Sequence, residues 1–229
     1  MSRDLSDTTI VFDLDGTLID TAPDLAAAAN HALGRLGLEP VTVAQLHPFI
    51  GHGSKAMIDA GLRFHDRTVE EPELDKLHDH FLEFYAKNVA VESRPFEGIP
   101  ELLVELRGAG ARLAVCTNKV EHLSKILLRE LRLDTHFDAI AGRDTFDEFK
   151  PAPGHFTRTV ALAGGRAKRA VMVGDSEVDL ATAAAANVPF IGVSFGYAQQ
   201  PLRQSNPAVL IDHYREFMTA LDSALPSAH

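Results

Sequence analysis

Thr8-Thr9-Ile10-Val11-Phe12-Asp13-Leu14-Asp15-Gly16-Thr17-Leu18-Ile19-Asp20 is the stretch around which the chain is organised. Its run Ile10-Val11-Phe12 is short, β-branched and aromatic, which marks a strand buried on both faces. The run feeds directly into two aspartates and a glycine. Open α/β sheets bind their ligands beyond the carboxyl ends of such strands. A surface turn would also explain an Asp-Gly pair, but not a first aspartate flanked by Phe12 and Leu14. In an extended segment, side chains at i and i+2 share a face until a glycine turns the chain. Two carboxylates held close beside a metal are driven into different protonation states. One stays ionised as nucleophile or metal ligand, and the other keeps a proton to donate. Asp13 and Asp15 therefore suit nucleophilic and acid–base chemistry together.

Composition narrows the class. The 229 residues, 45% hydrophobic and 24% charged, are those of an ordinary globular chain with a substantial core. A formal net charge of −10 argues against nucleic acid or anionic membrane as the main partner, because no field steers the chain there. Small anions remain open, since a few local cations hold them. The amino terminus carries no apolar signal core and no run is long enough to span a bilayer. With Cys116 the single cysteine, no intramolecular disulfide forms, and a cytoplasmic setting is the simplest expectation. Cys116 lies in an apolar strand pattern and reads as core packing. The sequence does not reveal an oligomeric state.

Downstream of the opening stretch, Thr21 can cap a helix with Pro23 in its first turn, running to Leu36 and stopped by Gly37. Thr42 to His47 reads as a short helix, Pro48 to Gly53 as a loop, and Ser54 as the cap of a helix ending near Gly61. A further helix covers Glu71 to Asn88, with Leu74, Leu77, Phe81, Leu82, Phe84 and Tyr85 on one broad face. No convincing strand falls between Thr21 and about Val91. From Arg94-Pro95 onward, strands and helices alternate: strands over 112–116, 139–141, 170–173, 190–193 and 209–211, helices over 100–107, 120–131, 153–163, 179–186 and 214–224. That alternation predicts an α/β fold, a doubly wound parallel sheet with a helical insertion after its first strand.

Three further clusters carry chemistry. Val173-Gly174-Asp175-Ser176-Glu177-Val178-Asp179 again delivers an aspartate from a buried strand to the sheet edge, with Asp179 one helical turn on. Hard oxygen ligands in this number suit Mg²⁺, although Asp175 or Ser176 would also serve as a helix cap. Cys116-Thr117-Asn118-Lys119 follows another core strand, where a hydroxyl and free amides make an anion site. Lys150 stands before the helix-initiating Pro151-Ala152-Pro153 and on its own reads as a solvated lysine. Among the eleven histidines no metal-ligand spacing emerges. His52, in Gly51-His52-Gly53, sits where flanking glycines let a loop approach a ligand.

Asp13-Leu14-Asp15-Gly16-Thr17-Leu18 resembles the first motif, D-x-D-G-T-L, of the haloacid-dehalogenase superfamily. Its continuation Ile19-Asp20-Thr21-Ala22-Pro23-Asp24-Leu25, and Phe195-Gly196-Tyr197, look like the phosphoglycolate phosphatase branch. Thr117, Lys150 and the Asp175/Asp179 pair fill the positions of the second, third and fourth motifs. Asn187 departs from the glycine frequent in that branch. The resemblance implies a catalytic core of residues 1–20 and 95–229 and an α-helical cap of residues 21–94. It implies Mg²⁺-dependent hydrolysis of a small phosphate monoester, most naturally 2-phosphoglycolate, through an aspartyl-phosphate. Asp13 would be the nucleophile, Asp15 the acid–base, and Thr117, Asn118 and Lys150 the holders of the transferring group. Asp13, Asp175 and Asp179 would ligate the metal, with Asp15 adding its backbone carbonyl. In the cap, Gly51, His52, Gly53 and Lys55 would seat the carboxylate of the substrate. A phosphosugar mutase of the same superfamily is the near alternative. A phosphoacceptor signalling domain is a more distant one, against which the chain length, the insertion and Asp15-Gly16-Thr17 count. A dehalogenase is disfavoured because that branch lacks an acid at the Asp15 position.

Overall fold

Six parallel strands in the order β5-β4-β1-β6-β7-β8 form the central sheet of the computed structural model. The structure describes residues 4–197, 202–205, 207 and 209–225. Residues 1–3, on which the reading of the amino terminus partly rests, lie outside them. The strands are β1 (Thr9–Phe12), β4 (Arg112–Cys116), β5 (Ala139–Ala141), β6 (Ala170–Gly174), β7 (Phe190–Val193) and β8 (Leu210–Ile211). Two two-residue strands, β2 (Ile19–Asp20) and β3 (Arg94–Pro95), form a separate small sheet. Helices α5 (Ile99–Gly108), α6 (Glu121–Glu130), α7 (Pro153–Leu162), α8 (Glu177–Ala186) and α9 (Phe217–Ala224) alternate with the large sheet's strands. The architecture is the expected α/β one.

Strand β1 lies between β4 and β6, with Phe12 level with Val115 on one side and Val173 on the other. Ile10, Val11 and Phe12 are completely buried, as an unbroken apolar run between two neighbours must be. Strand order reverses direction at β1, so the loops after β1, β4 and β6 open side by side at a switch point. That placement could not be read from the alternation, which predicts parallel strands but not their neighbours.

The chain divides into two compact units, residues 1–19 with 95–229, and residues 20–94. The second holds α1 (Ala22–Gly34), α2 (Val43–Leu46), α3 (Ser54–Arg63) and α4 (Glu71–Lys87) and, between residues 21 and 91, no strand. Leu33, Met57, Ile58, Leu77, Phe81 and Tyr85 are buried in it. Helices α1 and α3 approach closely because Gly61 has no Cβ; one there would come within 2.5 Å of Leu33 Cδ1. Buried Asp24 accepts from the Glu92 and Ser93 amides and from Ser93 Oγ (2.7 Å), tying the start of α1 to the segment before β3.

Helix ends differ from expectation where a side chain found a better partner. Thr21 makes no side-chain cap; Asp20 Oδ1 accepts from the Ala22 amide instead. Ser54 is the first residue of α3, and Gly53 with φ of 90° occupies the cap position, a conformation glycine alone takes cheaply. Residues 48–53 are not an open loop. His47–His52 winds as a 3₁₀ turn, for which Pro48 is preset in φ. Helix α1 ends at Gly34, before the expected Leu36, and Tyr214–Glu216 is a 3₁₀ turn ahead of α9. Among the described residues no helix is long and apolar enough to cross a membrane.

Candidate active site

Strand β1 ends at Phe12, so Asp13 and Asp15 both stand in the loop that follows, and that loop is tightly wound. The Leu18 and Ile19 amides both donate back to the Leu14 carbonyl, at 2.9 and 3.0 Å, and Gly16 takes φ of 81°. The carboxylates of the two aspartates take different partners. Asp13 joins a cluster with Asp175 and Asp179, in which one ligand oxygen from each lies within 4.8 Å of the others. Asp15 instead pairs with Lys119, whose Nζ is 2.9 and 3.1 Å from its two oxygens.

Lys150, expected to be solvated if it had no role, is buried. Its ammonium lies 2.8 Å from Asp13 Oδ1 and 2.6 Å from Asp179 Oδ1. Burial lowers its proton affinity, but Asp13 and Asp179 override that and hold it firmly charged. One ammonium does not balance three clustered carboxylates, two of them buried and Asp13 half-buried. Burial, opposed by Lys150 and assisted by Asp179, pushes Asp13 up to about 6. Asp175 is pushed up to about 8, by burial first and then by Asp179 and Asp13. Asp13 Oδ1 is also buried without a donor at hydrogen-bond angles. Surplus negative charge and oxygen-only donors fit a hard divalent cation.

Each carboxylate is held by local structure. Ser176 caps α8 and forms a capping box with Asp179: Ser176 Oγ donates to Asp179 Oδ2 at 2.7 Å, and the Asp179 amide donates to Ser176 Oγ. Capping and site-building are thus one arrangement. Asp175 accepts from Thr17 Oγ1 (2.9 Å) and from the Tyr197 amide (2.6 Å), while Tyr214 Oη donates to the Thr17 carbonyl (2.7 Å). A Cβ at Gly16 would come within 2.6 Å of Asp175 Oδ2, and one at Gly196 would overlap the Asp175 side chain. This gives Phe195-Gly196-Tyr197 a role that its sequence did not disclose.

Thr117 follows β4, buried, with its amide on the Ala141 carbonyl (3.0 Å) and its Oγ1 accepting from the Lys119 amide (3.2 Å). Asn118 Nδ2 donates to the Lys150 carbonyl (3.0 Å) and so fastens the lysine's loop. Cys116 is buried beside His155 (3.6 Å), and burial pushes its thiol up to about 12, consistent with packing rather than reactivity. Thr17, Lys119, Tyr197 and Tyr214 went unnoticed in the sequence as site residues. The Gly-Thr after Asp15 and the Phe-Gly-Tyr triplet were the available signals for Thr17 and Tyr197. Gly51, His52, Gly53 and Lys55 belong to the unit 20–94. There the Lys55 ammonium, on a side chain 42% exposed, donates to Glu71 (3.0 Å) and Asp75 (2.5 Å).

Known proteins share this arrangement of chain. A family model for haloacid dehalogenase-like hydrolases matches residues 10–193. A phosphoglycolate phosphatase of Mesorhizobium japonicum is 46% identical over 205 residues, covering 90% of each chain. One of Agrobacterium fabrum is 43% identical over 226 residues, 99% of this chain and 97% of that protein. A crystal structure of a "predicted phosphoglycolate phosphatase" from Haemophilus somnus superposes with a TM-score of 0.85 at 28% identity, covering 94% of this chain and 97% of that one.

Proposed function

The chain belongs to the haloacid dehalogenase-like hydrolases and is a phosphoric monoester hydrolase, and from that premise we propose Mg²⁺-dependent hydrolysis of 2-phosphoglycolate or a comparably small ester through an aspartyl-phosphate on Asp13. The observation that carries the reading is the buried meeting of Asp13, Asp175, Asp179 and Lys150 beyond the switch-point strand. The substrate rests on the relatives, two of which are named phosphoglycolate phosphatases at 46% and 43% identity.

Magnesium, when bound to Asp13, Asp175, Asp179 and the Asp15 carbonyl, would supply the charge that lets a phosphate dianion enter among carboxylates. Lys150 holds Asp13 and Asp179 in position and adds its own charge. An Asp13 oxygen bonds to phosphorus as the ester P–O bond breaks, and Asp15 gives its proton to the leaving oxygen. Water then adds to phosphorus, its proton returns to Asp15, and Asp13 is released with inorganic phosphate. Thr117, Asn118 and Lys150 hold the transferring group. Residues 21–94 act as a cap: they lie in the compact unit 20–94, which follows the Asp13–Asp15 loop in the chain, an insertion suited to excluding water from the reaction. Gly51, His52, Gly53 and Lys55 serve the substrate from that unit. The enzyme is cytoplasmic and its partner is a small phosphorylated metabolite.

A panel of small phosphate esters assayed for phosphate release with Mg²⁺ and with a chelator tests the proposal. Release from 2-phosphoglycolate that the chelator abolishes is expected. Undiminished release in the chelator overturns the metal requirement. A preference for sugar phosphates that needs a bisphosphate activator would make the chain a mutase instead.

A further inference from the structure

Lys119 lies in the turn after β4, and its sequence context does not set it apart from a solvated turn lysine. Its side chain is only 7% exposed, and its ammonium donates to both oxygens of Asp15, itself 20% exposed. The turn is fixed at several points. The Lys119 amide donates to Thr117 Oγ1 (3.2 Å), and its carbonyl accepts from the Arg143 amide (2.9 Å). A Cβ at Gly142 would stand 2.6 Å from that same carbonyl, so glycine there lets the two loops close on each other. Backbone and counterion together position the ammonium.

We propose that Lys119 selects the leaving group: its ammonium, set against both oxygens of Asp15, receives an anionic group carried one or two carbons from the scissile oxygen. The proposal rests on the phosphatase reading above, with Asp15 serving that oxygen. A proton passes between Asp15 and the leaving oxygen only if they come within about 3 Å. A cation at hydrogen-bond distance from both Asp15 oxygens then stands roughly 4–6 Å from the leaving oxygen, two contacts in sequence. The O–C–C–O skeleton of a 2-hydroxy acid such as glycolate spans that interval once the carboxylate accepts from the ammonium. Little water reaches this pair, so a carboxylate there gains more than on an open surface. The other lysines considered stand against other carboxylates. Lys150 serves Asp13 and Asp179, and Lys55 is paired to Glu71 and Asp75 within its own unit. An uncharged leaving group offers the ammonium no opposite charge.

The test compares 2-phosphoglycolate with 2-hydroxyethyl phosphate, which replaces the carboxylate by a hydroxymethyl group. Wild type should prefer phosphoglycolate in kcat/KM. Lys119→Met should shrink that preference about 10- to 100-fold, the worth of a charged hydrogen bond, chiefly through KM. Any loss shared by both esters reflects Asp15 deprived of its counterion and cancels in the ratio. Lys119→Arg, which keeps the charge, should retain the preference; it decides the matter if the Met variant is too slow or unstable to assay. An unchanged ratio in Lys119→Met, or a preference lost in Lys119→Arg, overturns the assignment. If wild type hydrolyses both esters equally, the phosphatase reading stands and the Lys119 assignment falls. If it hydrolyses no ester, both fall.

Discussion

Asp13 and Asp15 are separated by one residue yet face different lysines, and the division of labour between them follows from those partners. Asp13 sits in the carboxylate cluster with Lys150, and Asp15 outside it with Lys119. Replacing Asp13 by Asn keeps the volume but removes the oxygen that would bond to phosphorus. Steady-state phosphate release should fall by more than about 10²-fold, with an unchanged circular dichroism spectrum. A second residue gives a pH signature of its own. Burial, with Lys150 adding to it, lowers the His155 imidazole to about 4. A neutral imidazole favoured by the fold stabilises fully above its ordinary value of 6.5, and that contribution is lost as pH falls from there towards 4. Between pH 7 and pH 4 wild type should therefore lose more melting temperature than His155→Gln; parallel curves would contradict this. Aspartates delivered by buried strands were legible in the sequence because the apolar run and the polar break are adjacent in the chain. Lys119 was not, because its partner Asp15 is 104 residues away and only the juxtaposition of β1 and β4 brings the two together.

Helix α8 and the loop at Gly196 show how elements aim the clustered carboxylates. The Ser176–Asp179 capping box fixes Asp179, while Thr17 and the Tyr197 amide fix Asp175. Gly196→Ala would drive a methyl into Asp175. The Mg²⁺ concentration for half-maximal activity should rise by about 10- to 100-fold, as when the support of a metal ligand is lost. A Mg²⁺ titration of the variant checks this, and an unchanged midpoint would show that Asp175 needs no such support. Strands were legible nearly to the residue, since β5 and β7 coincide with the apolar runs Ala139–Ala141 and Phe190–Val193. Caps and 3₁₀ turns were less so. Thr21 holds the cap position of α1 without a side-chain cap bond, which Asp20 supplies from one residue earlier, while Gly53 holds the position expected of Ser54, and Pro48 starts a turn as readily as it breaks a helix.

At the scale of the molecule, the parallel α/β class was legible from alternation, whereas the strand order was not, because pairing is decided by packing across the whole chain. That order puts β1 between β4 and β6 and so gathers carboxylates from distant segments into one buried, over-charged cluster. A cation bound there acts on the folded state only. Mg²⁺ well above its dissociation constant should raise the melting temperature, by about 2.7 kcal/mol of stability at a hundredfold excess, and Asp175→Asn should abolish the rise. Differential scanning calorimetry with and without chelator measures it; a wild-type melting temperature indifferent to Mg²⁺ would contradict a metal at this cluster. The central claim, transfer of phosphate through Asp13, is tested most directly by acid-quenching the protein during turnover of ³²P-labelled 2-phosphoglycolate. The account predicts a hydroxylamine-labile label on the peptide containing Asp13, in wild type and in the slower Asp15→Ala. Phosphate release with no labelled protein at any quench time, in either form, would contradict it.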